Sequence, residues 1–437
     1  MKVSLVMPRD PPGMNNFHQV PIGALYAAAQ LEQDEIDVSF FDLRIEQESD
    51  ATYSKIGAAD LAVVFSADYD LAQCYPPLSA ARDCITSIRR NANTLVACAG
   101  SHATAHDPLT REFTKADIII RGEFEFALPE LVRCIRSENR KPKTWPPSGI
   151  RIGSDNELSR LPSPAYRLAR MQDYFSEGFV SNQLDRVNSG LILGNRGCPY
   201  ACNFCYLFFG QRLRKRPVDL TVAELKQMYE IYSFRHFFFL DYTFTIDNSW
   251  VQRLCASIIA SGMRVSWICQ TRVDCINEKT LLRMKEAGCS GIWLGVESPE
   301  LNQRAYLTKG RITGSQIENA ISLIRRCGLI PLVFVIVGLP NETETTLQSL
   351  NEWLDKSHVY YSLSIFQRRL GTPLGSVEGP IDLANGWGYL ERPSQFLGES
   401  SLLRSEIEWF FDYHRRSGTR MANVMQRRLT ESPRSVI

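Results

Sequence analysis

Between Gly190 and Phe366 the chain alternates short β-rich runs with helix-length amphipathic segments, and this order sharply limits the folds open to it. Candidate strands are Gly190–Leu193, His236–Leu240, Val265–Gln270, Gly291–Val296, Leu332–Val337 and Ser362–Phe366. Candidate helices are Thr221–Tyr232, Ser249–Ser261, Glu278–Ala287, Thr313–Cys327 and Glu344–Lys356. Asn277 can cap the third, and Gly288 and Gly328 follow helix ends. Helix-linked strands pair in parallel, so these six β/α units predict a partial (β/α)6 barrel of the TIM type over 189–373.

Residues 1–135 carry an earlier alternation. Val3–Met7, Val38–Phe41, Leu61–Phe65, Leu95–Ala99 and Asp117–Ile120 are β-rich, with helical patterns such as Ile22–Gln33 and Leu78–Arg90 between them. The pattern predicts an α/β, doubly wound, Rossmann-like parallel sheet of five strands. Ligands of such sheets sit outside the strand carboxyl ends. Those ends carry Pro8-Arg9-Asp10, Asp42, Ser66, Gly100-Ser101-His102 and Arg121-Gly122-Glu123. No G-x-G-x-x-G fingerprint is present. Residues 136–188, turn-rich at Ser137–Gly153 and at Leu161-Pro162-Ser163-Pro164, read as a connector. Residues 374–437 read as a less regular C-terminal region with a basic helical segment around Glu406–Arg428.

At 437 residues the chain suits two or three domains, each with a full core. Its 49 basic and 48 acidic residues nearly cancel, which removes any global attraction to nucleic acid or anionic membrane. The opening run is a strand stopped by Pro8, too short for a signal-peptide core. The longest apolar stretch, Gly328 to Pro340, is well short of a membrane span. These features predict a cytoplasmic protein that contacts neither nucleic acid nor membrane.

Nine of the twelve cysteines are scattered and read as small buried hydrophobes in a reducing compartment. Cys198, Cys202 and Cys205 differ, because they share one loop with spacing C-x₃-C-x₂-C. Such spacing can wrap three thiolates around one face of an iron–sulfur cube and leave the fourth corner open. Electron-transfer clusters are normally closed by four cysteines. A structural zinc knuckle is the alternative, but no histidine or fourth cysteine lies within the usual ligand spacing.

Catalytic groups of barrels gather just after the strand carboxyl ends. In strand order the chain places there the cysteine loop, Asp241, Thr271-Arg272, Glu297-Ser298, Gly338-Leu339-Pro340 and Gln367-Arg368. An arginine can grip a carboxylate with two parallel bonds, and carboxylates can accept from an amine or from ribose hydroxyls. Duller readings stand beside these. Asp241 and Glu297 could be solvated strand-end carboxylates, Arg272 could pair with Asp274, and His102 could be a packing residue. The run Arg212-Leu213-Arg214-Lys215-Arg216 reads as a solvated face that could steer an anionic substrate or reductant.

From about Ser189 to Pro373 the chain resembles the radical S-adenosylmethionine superfamily. The resemblance rests on the three cysteines and on Phe239-Leu240-Asp241, Thr271-Arg272-Val273-Asp274, Gly295-Val296-Glu297-Ser298 and Val335-Ile336-Val337-Gly338-Leu339-Pro340. Residues 1–135 resemble the cobalamin-binding domain of one branch, through Gly100-Ser101-His102-Ala103-Thr104 and Ile119-Ile120-Arg121-Gly122-Glu123-Phe124-Glu125. Where that branch repeats Gly-Glu, this chain has Phe124 in place of the second glycine.

The resemblance implies that Cys198, Cys202 and Cys205 hold a [4Fe–4S] cluster whose open iron chelates S-adenosylmethionine. One electron then releases a 5′-deoxyadenosyl radical that removes hydrogen from an unactivated C–H bond. It implies Phe204 near the adenine, Asp241 near the methionyl amine, Arg272 for the methionyl carboxylate, Gln270 or Glu297 for the ribose, and Ser298 among the residues that bind S-adenosylmethionine. Ser66, Gly100, His102 and Glu123 would serve cobalamin. The expected partners are a small-molecule substrate and an external electron donor of flavodoxin or ferredoxin type. The expected reaction is cobalamin-dependent C-methylation. A cobalamin-independent dehydration, rearrangement or cyclisation is the alternative, and a zinc-stabilised binding module is a distant one.

Overall fold

Long apolar runs need cover on both faces, and the first sheet supplies it. In the computed structural model, the described residues are 1–375 apart from 10–17, 70–77, 139–140, 181–182, 309–311, 340–341 and 367–368. Strands β1 (Lys2–Met7), β2 (Asp37–Asp42), β3 (Leu61–Phe65), β4 (Leu95–Ala99), β5 (Ile118–Ile120) and β6 (Thr144–Trp145) form one parallel sheet in the order β2-β1-β3-β4-β5-β6. Val3, Leu5, Leu61 and Val63 pack into a core on one face. Val6, Ala62, Val64 and Val96 pack on the other. The expected doubly wound sheet is present with one strand more than predicted, since β6 lies in the stretch read as connector. A two-residue strand carries no period-two pattern that could reveal it.

The same stretch supplies β7 (Phe175–Val180), the antiparallel partner of β8 (Gln183–Ile192). After β8 come the short β9 (Asn195–Arg196) and β10 (Arg214–Lys215), which pair with each other across the cysteine loop. Then follow β11 (His236–Phe239), β12 (Ser266–Arg272), β13 (Cys289–Glu297), β14 (Ile330–Val337) and β15 (Tyr360–Ile365). The order is β15-β14-β13-β12-β11-β8-β7, with the six expected strands in parallel register. The expected C-terminal helical segment lies outside the described residues, as do Pro340, Gln367 and Arg368.

Period-two alternation splits the barrel strands into two faces. Phe237, Phe239, Trp267, Cys269, Ile292, Leu294 and Val333 join the main core. Ile268, Trp293 and Leu332, with Phe238 and Phe334, form a separate apolar layer on the inner face. Gln270, Arg272 and Gly295 continue that inner face toward the carboxyl-terminal rim, where Arg272 pairs with Gly295 in register.

The basic run after the cysteines is not a solvated face. Arg214 and Arg216 are buried, whereas Arg212 and Lys215 reach the surface to pair with Asp155 and Asp247. Extended backbone sends alternate side chains to opposite faces, and the domain boundary lies on one of them. There the Glu224 carboxylate accepts from Tyr26 Oη (2.7 Å) and Tyr166 Oη (2.9 Å) and pairs with Arg216. Tyr26 comes from the first domain and Tyr166 from the intervening segment. Glu224→Ala strands the Arg216 cation out of water, and such losses cost about 3–5 kcal/mol. We expect a drop of that size in the urea unfolding free energy, and a smaller one for Glu224→Gln.

Candidate functional site

The cysteine loop, residues 197–213, is closed at its base by the β9–β10 ladder. Its entry is fixed by Asp241, whose Oδ2 accepts from the Gly194 amide (2.9 Å) and Oδ1 from the Asn195 amide (2.6 Å). Gly197 has φ of +82°, and a Cβ there would lie 2.1 Å from the Arg212 carbonyl oxygen. The loop therefore needs glycine at that turn. Beyond it the Cys198 amide donates to the Gly210 carbonyl (3.1 Å). Farther along, Asn203 seats the loop on helix Leu301–Thr308, its amide donating to Leu307 O (2.8 Å) and its Nδ2 to Tyr306 O (2.7 Å).

None of the three thiols is in a disulfide. Cys198 Sγ lies 3.6 Å from Thr243 Oγ1, and Arg272 Nη1 donates to Cys202 Sγ at 3.3 Å. Burial pushes the Cys202 thiol up to about 11 against the pull of Arg272, and burial raises the Cys205 thiol as well. Among the described residues, no three Cys, His, Asp or Glu side chains converge tightly enough to hold a single metal ion. A cube places each thiolate on its own iron, so the three need not meet at one point. Three unpaired thiols on one loop, with a guanidinium beside one of them, fit a [4Fe–4S] cluster.

Arg272 is committed on three sides. Its Nε and Nη2 each reach Asp274 at 2.9 Å, Nη1 reaches Cys202, and the guanidinium stacks 3.8 Å from the centroid of the Tyr200 ring. The duller pairing with Asp274 is thus real, and it aims the remaining nitrogen at the cysteine loop. Tyr200 Oη lies 3.2 Å from Cys275 Sγ. Thr245 Oγ1 ties the neighbouring segment to the Cys275 carbonyl (2.8 Å).

Glu297 ends β13 with φ of +66°, after a register shift between Gly295 and Glu297. A Cβ on Gly295 would lie 2.8 Å from Glu297 Oε1, so the carboxyl folds back over bare backbone. Burial pushes that carboxyl up to about 8, with Arg272 and Arg369 pulling it down. Neither Glu297 nor Gln270 makes a side-chain hydrogen bond among the described residues. Ser298 is buried, and its Oγ accepts from the Glu300 amide (3.1 Å), a local turn contact. Phe204 packs against Leu307, Ile336, Leu339 and Phe366.

Asp241 holds the entry of the loop. Both its oxygens take backbone donors, and burial sets its carboxyl at about 7. In the first domain, Ser66 Oγ donates to the Ala99 carbonyl (2.9 Å). Gly100, at φ +129°, sits so close that a Cβ would lie 2.3 Å from that hydroxyl. Glu123 is wholly buried and pairs with Arg196 (3.1 Å) and Arg214 (3.1 Å). His102 is buried in the short helix Ser101–Ala105. Ser66, Gly100 and Glu123 are therefore each in contact with other parts of the protein. Residues 10–17 and 70–77, which follow β1 and β3, lie outside the described residues.

Residues 192–354 match the radical SAM superfamily. The chain is a radical S-adenosylmethionine enzyme. This radical SAM enzyme is 29% identical over 385 residues to an uncharacterised methyltransferase of Pyrococcus horikoshii, covering 83% of the present chain and 79% of the other. It is 28% identical over 267 residues to the anaerobic magnesium-protoporphyrin IX monomethyl ester cyclase of Cereibacter sphaeroides, covering 59% of this chain and 44% of that one. Its fold matches the radical SAM methyltransferase TsrM of Kitasatospora setae, solved with cobalamin and a [4Fe–4S] cluster (TM-score 0.68, 20% identity, 91% and 84% of the two chains). It also matches the cobalamin-dependent radical SAM enzyme OxsB (TM-score 0.70, 11% identity, 95% and 70%). No described helix is long and apolar enough to cross a membrane.

Arg196 and Tyr200 were not singled out from the sequence; the available signal was their position beside Cys198. Glu297 gives a pH test. Its folded value, about 8, lies above the ordinary 4.5, so the folded chain keeps a proton that the unfolded chain releases. That contribution to stability is full below the ordinary value and falls as pH rises toward 8. In the apo chain, Glu297→Gln should gain stability relative to wild type between pH 5 and pH 8, read from denaturant midpoints at each pH.

Proposed function

We propose that this radical SAM enzyme binds a [4Fe–4S] cluster on Cys198, Cys202 and Cys205 and acts on a small molecule. The reaction we favour is cobalamin-dependent methylation of an unactivated carbon. The observation that carries the reading is the convergence of three unpaired thiols, Arg272 and the unpartnered Gln270 and Glu297 on one rim of the barrel. When bound, the cluster supplies one electron to the sulfonium of S-adenosylmethionine, delivered from outside by a flavodoxin- or ferredoxin-type donor.

The chain's own residues position the nucleotide and exclude water. Gln270 offers both a donor and acceptors from the inner face. Glu297, protonated over much of the neutral range, can donate to a ribose oxygen as well as accept from a hydroxyl. The apolar wall of Phe204, Leu307, Ile336 and Leu339 suits the face of a planar base. Below the rim, Phe238, Ile268, Trp293, Leu332 and Phe334 fill the lumen and keep solvent from reaching the site from that end.

Support for methylation comes from the fold shared with the methyltransferase TsrM and from the methyltransferase relative, and support for cobalamin from the fold shared with TsrM and OxsB. A second reading is cyclisation or rearrangement without cobalamin: the cyclase relative supports the cyclisation, and the protein contacts of Ser66, Gly100 and Glu123 support the absence of a corrinoid. Anaerobic protein reconstituted with iron, sulfide and cobalamin separates the two. Corrinoid absorbance that stays with the protein, and transfer of label from methyl-labelled S-adenosylmethionine, would support methylation. Formation of 5′-deoxyadenosine with no retained corrinoid would support the second reading. Cys202→Ala should lose the brown cluster and all cleavage of S-adenosylmethionine; an intact cluster in that variant would remove Cys202 from the ligand set.

A further inference from the structure

The run Gly122-Glu123-Phe124-Glu125 follows β5, where a Rossmann-like sheet ordinarily meets its ligand. Here its two carboxylates point into the boundary with the barrel. Glu123 and Glu125 are each 1% exposed or less, and both pair with Arg196, which is 2% exposed and stands two residues before Cys198. Arg214, 1% exposed, closes the set by pairing with Glu123 and donating to the carbonyls of Gly153 (2.8 Å) and Phe209 (2.8 Å). Tyr69 bridges the pair within the first domain, donating to Glu125 and accepting from the Phe124 amide (2.9 Å).

A separate contact holds the other flank of the cysteine run. Phe209 packs 4.9 Å from Tyr69, and Phe208 packs 5.7 Å from Phe124, measured between ring centroids. Phe208 and Phe209 lie three and four residues after Cys205. The loop is thus seated on the first domain both before its first cysteine and after its last. Phe124, at the position where the family's motif has glycine, is part of that seat rather than an opening for a ligand. The Cβ of a residue at 122 would meet the Arg151 carbonyl oxygen at 2.1 Å, so the glycine there serves a backbone crossing.

We propose that Glu123 and Glu125 are positioning residues for the iron–sulfur site, acting across the domain boundary through Arg196 to set the cysteine loop. The consequence for the cluster rests on the functional reading above; the hold on the loop does not. Both carboxylates meet Arg196 at Nη1, so this one nitrogen is held from two sides by the first domain. The first domain therefore contributes to the metal site whatever else it binds.

Hydrogen exchange on the apo full-length chain, followed by anaerobic reconstitution, tests this. The variants are Glu125→Gln and the milder Arg196→Lys. The control is Asp42→Asn, which alters a buried ion pair with Arg44 away from the loop. In both test variants, amides of residues 194–198 should exchange at least tenfold faster than in wild type, with helix Asn248–Ala260 unchanged. After reconstitution, iron and sulfide per chain should fall at least threefold, and the electron paramagnetic resonance signal of the reduced cluster should broaden. The control should do neither. Unchanged exchange at 194–198 in folded Glu125→Gln and Arg196→Lys would overturn the proposal, as would a threefold loss in the control. If exchange quickens while wild type itself never takes up a cluster, the hold on the loop stands and the functional reading falls.

Discussion

Two guanidinium groups and two carboxylates lie between the two sheets almost wholly out of water: Arg196 and Arg214 against Glu123 and Glu125. Removing such groups from water is costly, and an unpaired one would be expelled or neutralised. Here the formal charges balance, two against two, and Nη1 and Nη2 of Arg214 also donate to the Gly153 and Phe209 carbonyls. Arg196 also lies 5.4 to 5.9 Å from the centroids of Tyr26, Tyr69, Phe126 and Phe209, which line it with ring faces rather than solvent. Burial alone opposes its charge, yet the neighbouring carboxylates hold it above its ordinary range. Such a set has little freedom to rearrange, because any separation leaves a charge with neither partner nor water. The segment that carries Arg196 leads directly into Cys198, so this rigidity passes into the site.

The second buried group, Glu224 with Arg216, Tyr26 and Tyr166, adds to the same boundary. The Arg216 amide donates to the Gly194 carbonyl (2.9 Å), which joins this group to the entry of the cysteine loop. Asp241 approaches that entry from the barrel side. Three buried carboxylate systems, from different parts of the chain, therefore meet at residues 194–196.

Much of this architecture could be read from periodicity. The six parallel barrel strands and the five longer strands of the first sheet follow from apolar runs separated by helical patterns. β6 escaped because two residues have no period, and β7 because its hairpin lies in a turn-rich stretch. The cysteines announce themselves by spacing, and the rim follows from strand ends. Partnership was harder to see. Nothing in Arg212-Leu213-Arg214-Lys215-Arg216 tells which arginines are buried until the docking face of β10 is known. Gly122-Glu123-Phe124-Glu125 looked like a ligand motif because its strand-end position says where the backbone ends, not which surface comes to meet it.

Asp241 and Glu297 show why position on a rim does not decide role. Both follow barrel strands, both are carboxylates, and burial raises both. Asp241 lies opposite two backbone amides that have no strand partner left at the end of β8, and a carboxylate with two acceptor oxygens satisfies both at once. Its chemistry is spent on the loop. Glu297 instead sits in a left-handed backbone conformation that a non-glycine residue adopts only at a cost of order 1–3 kcal/mol. It lies beyond a register shift, and no side-chain hydrogen bond among the described residues offsets that cost. Strain of this kind persists where the surrounding structure imposes it, and here the outcome is a protonatable carboxyl held over the bare backbone of Gly295, within the pull of Arg272. An acid at the end of a barrel strand can thus be tied to backbone donors or left without a side-chain hydrogen bond, and the segments packed around it decide which.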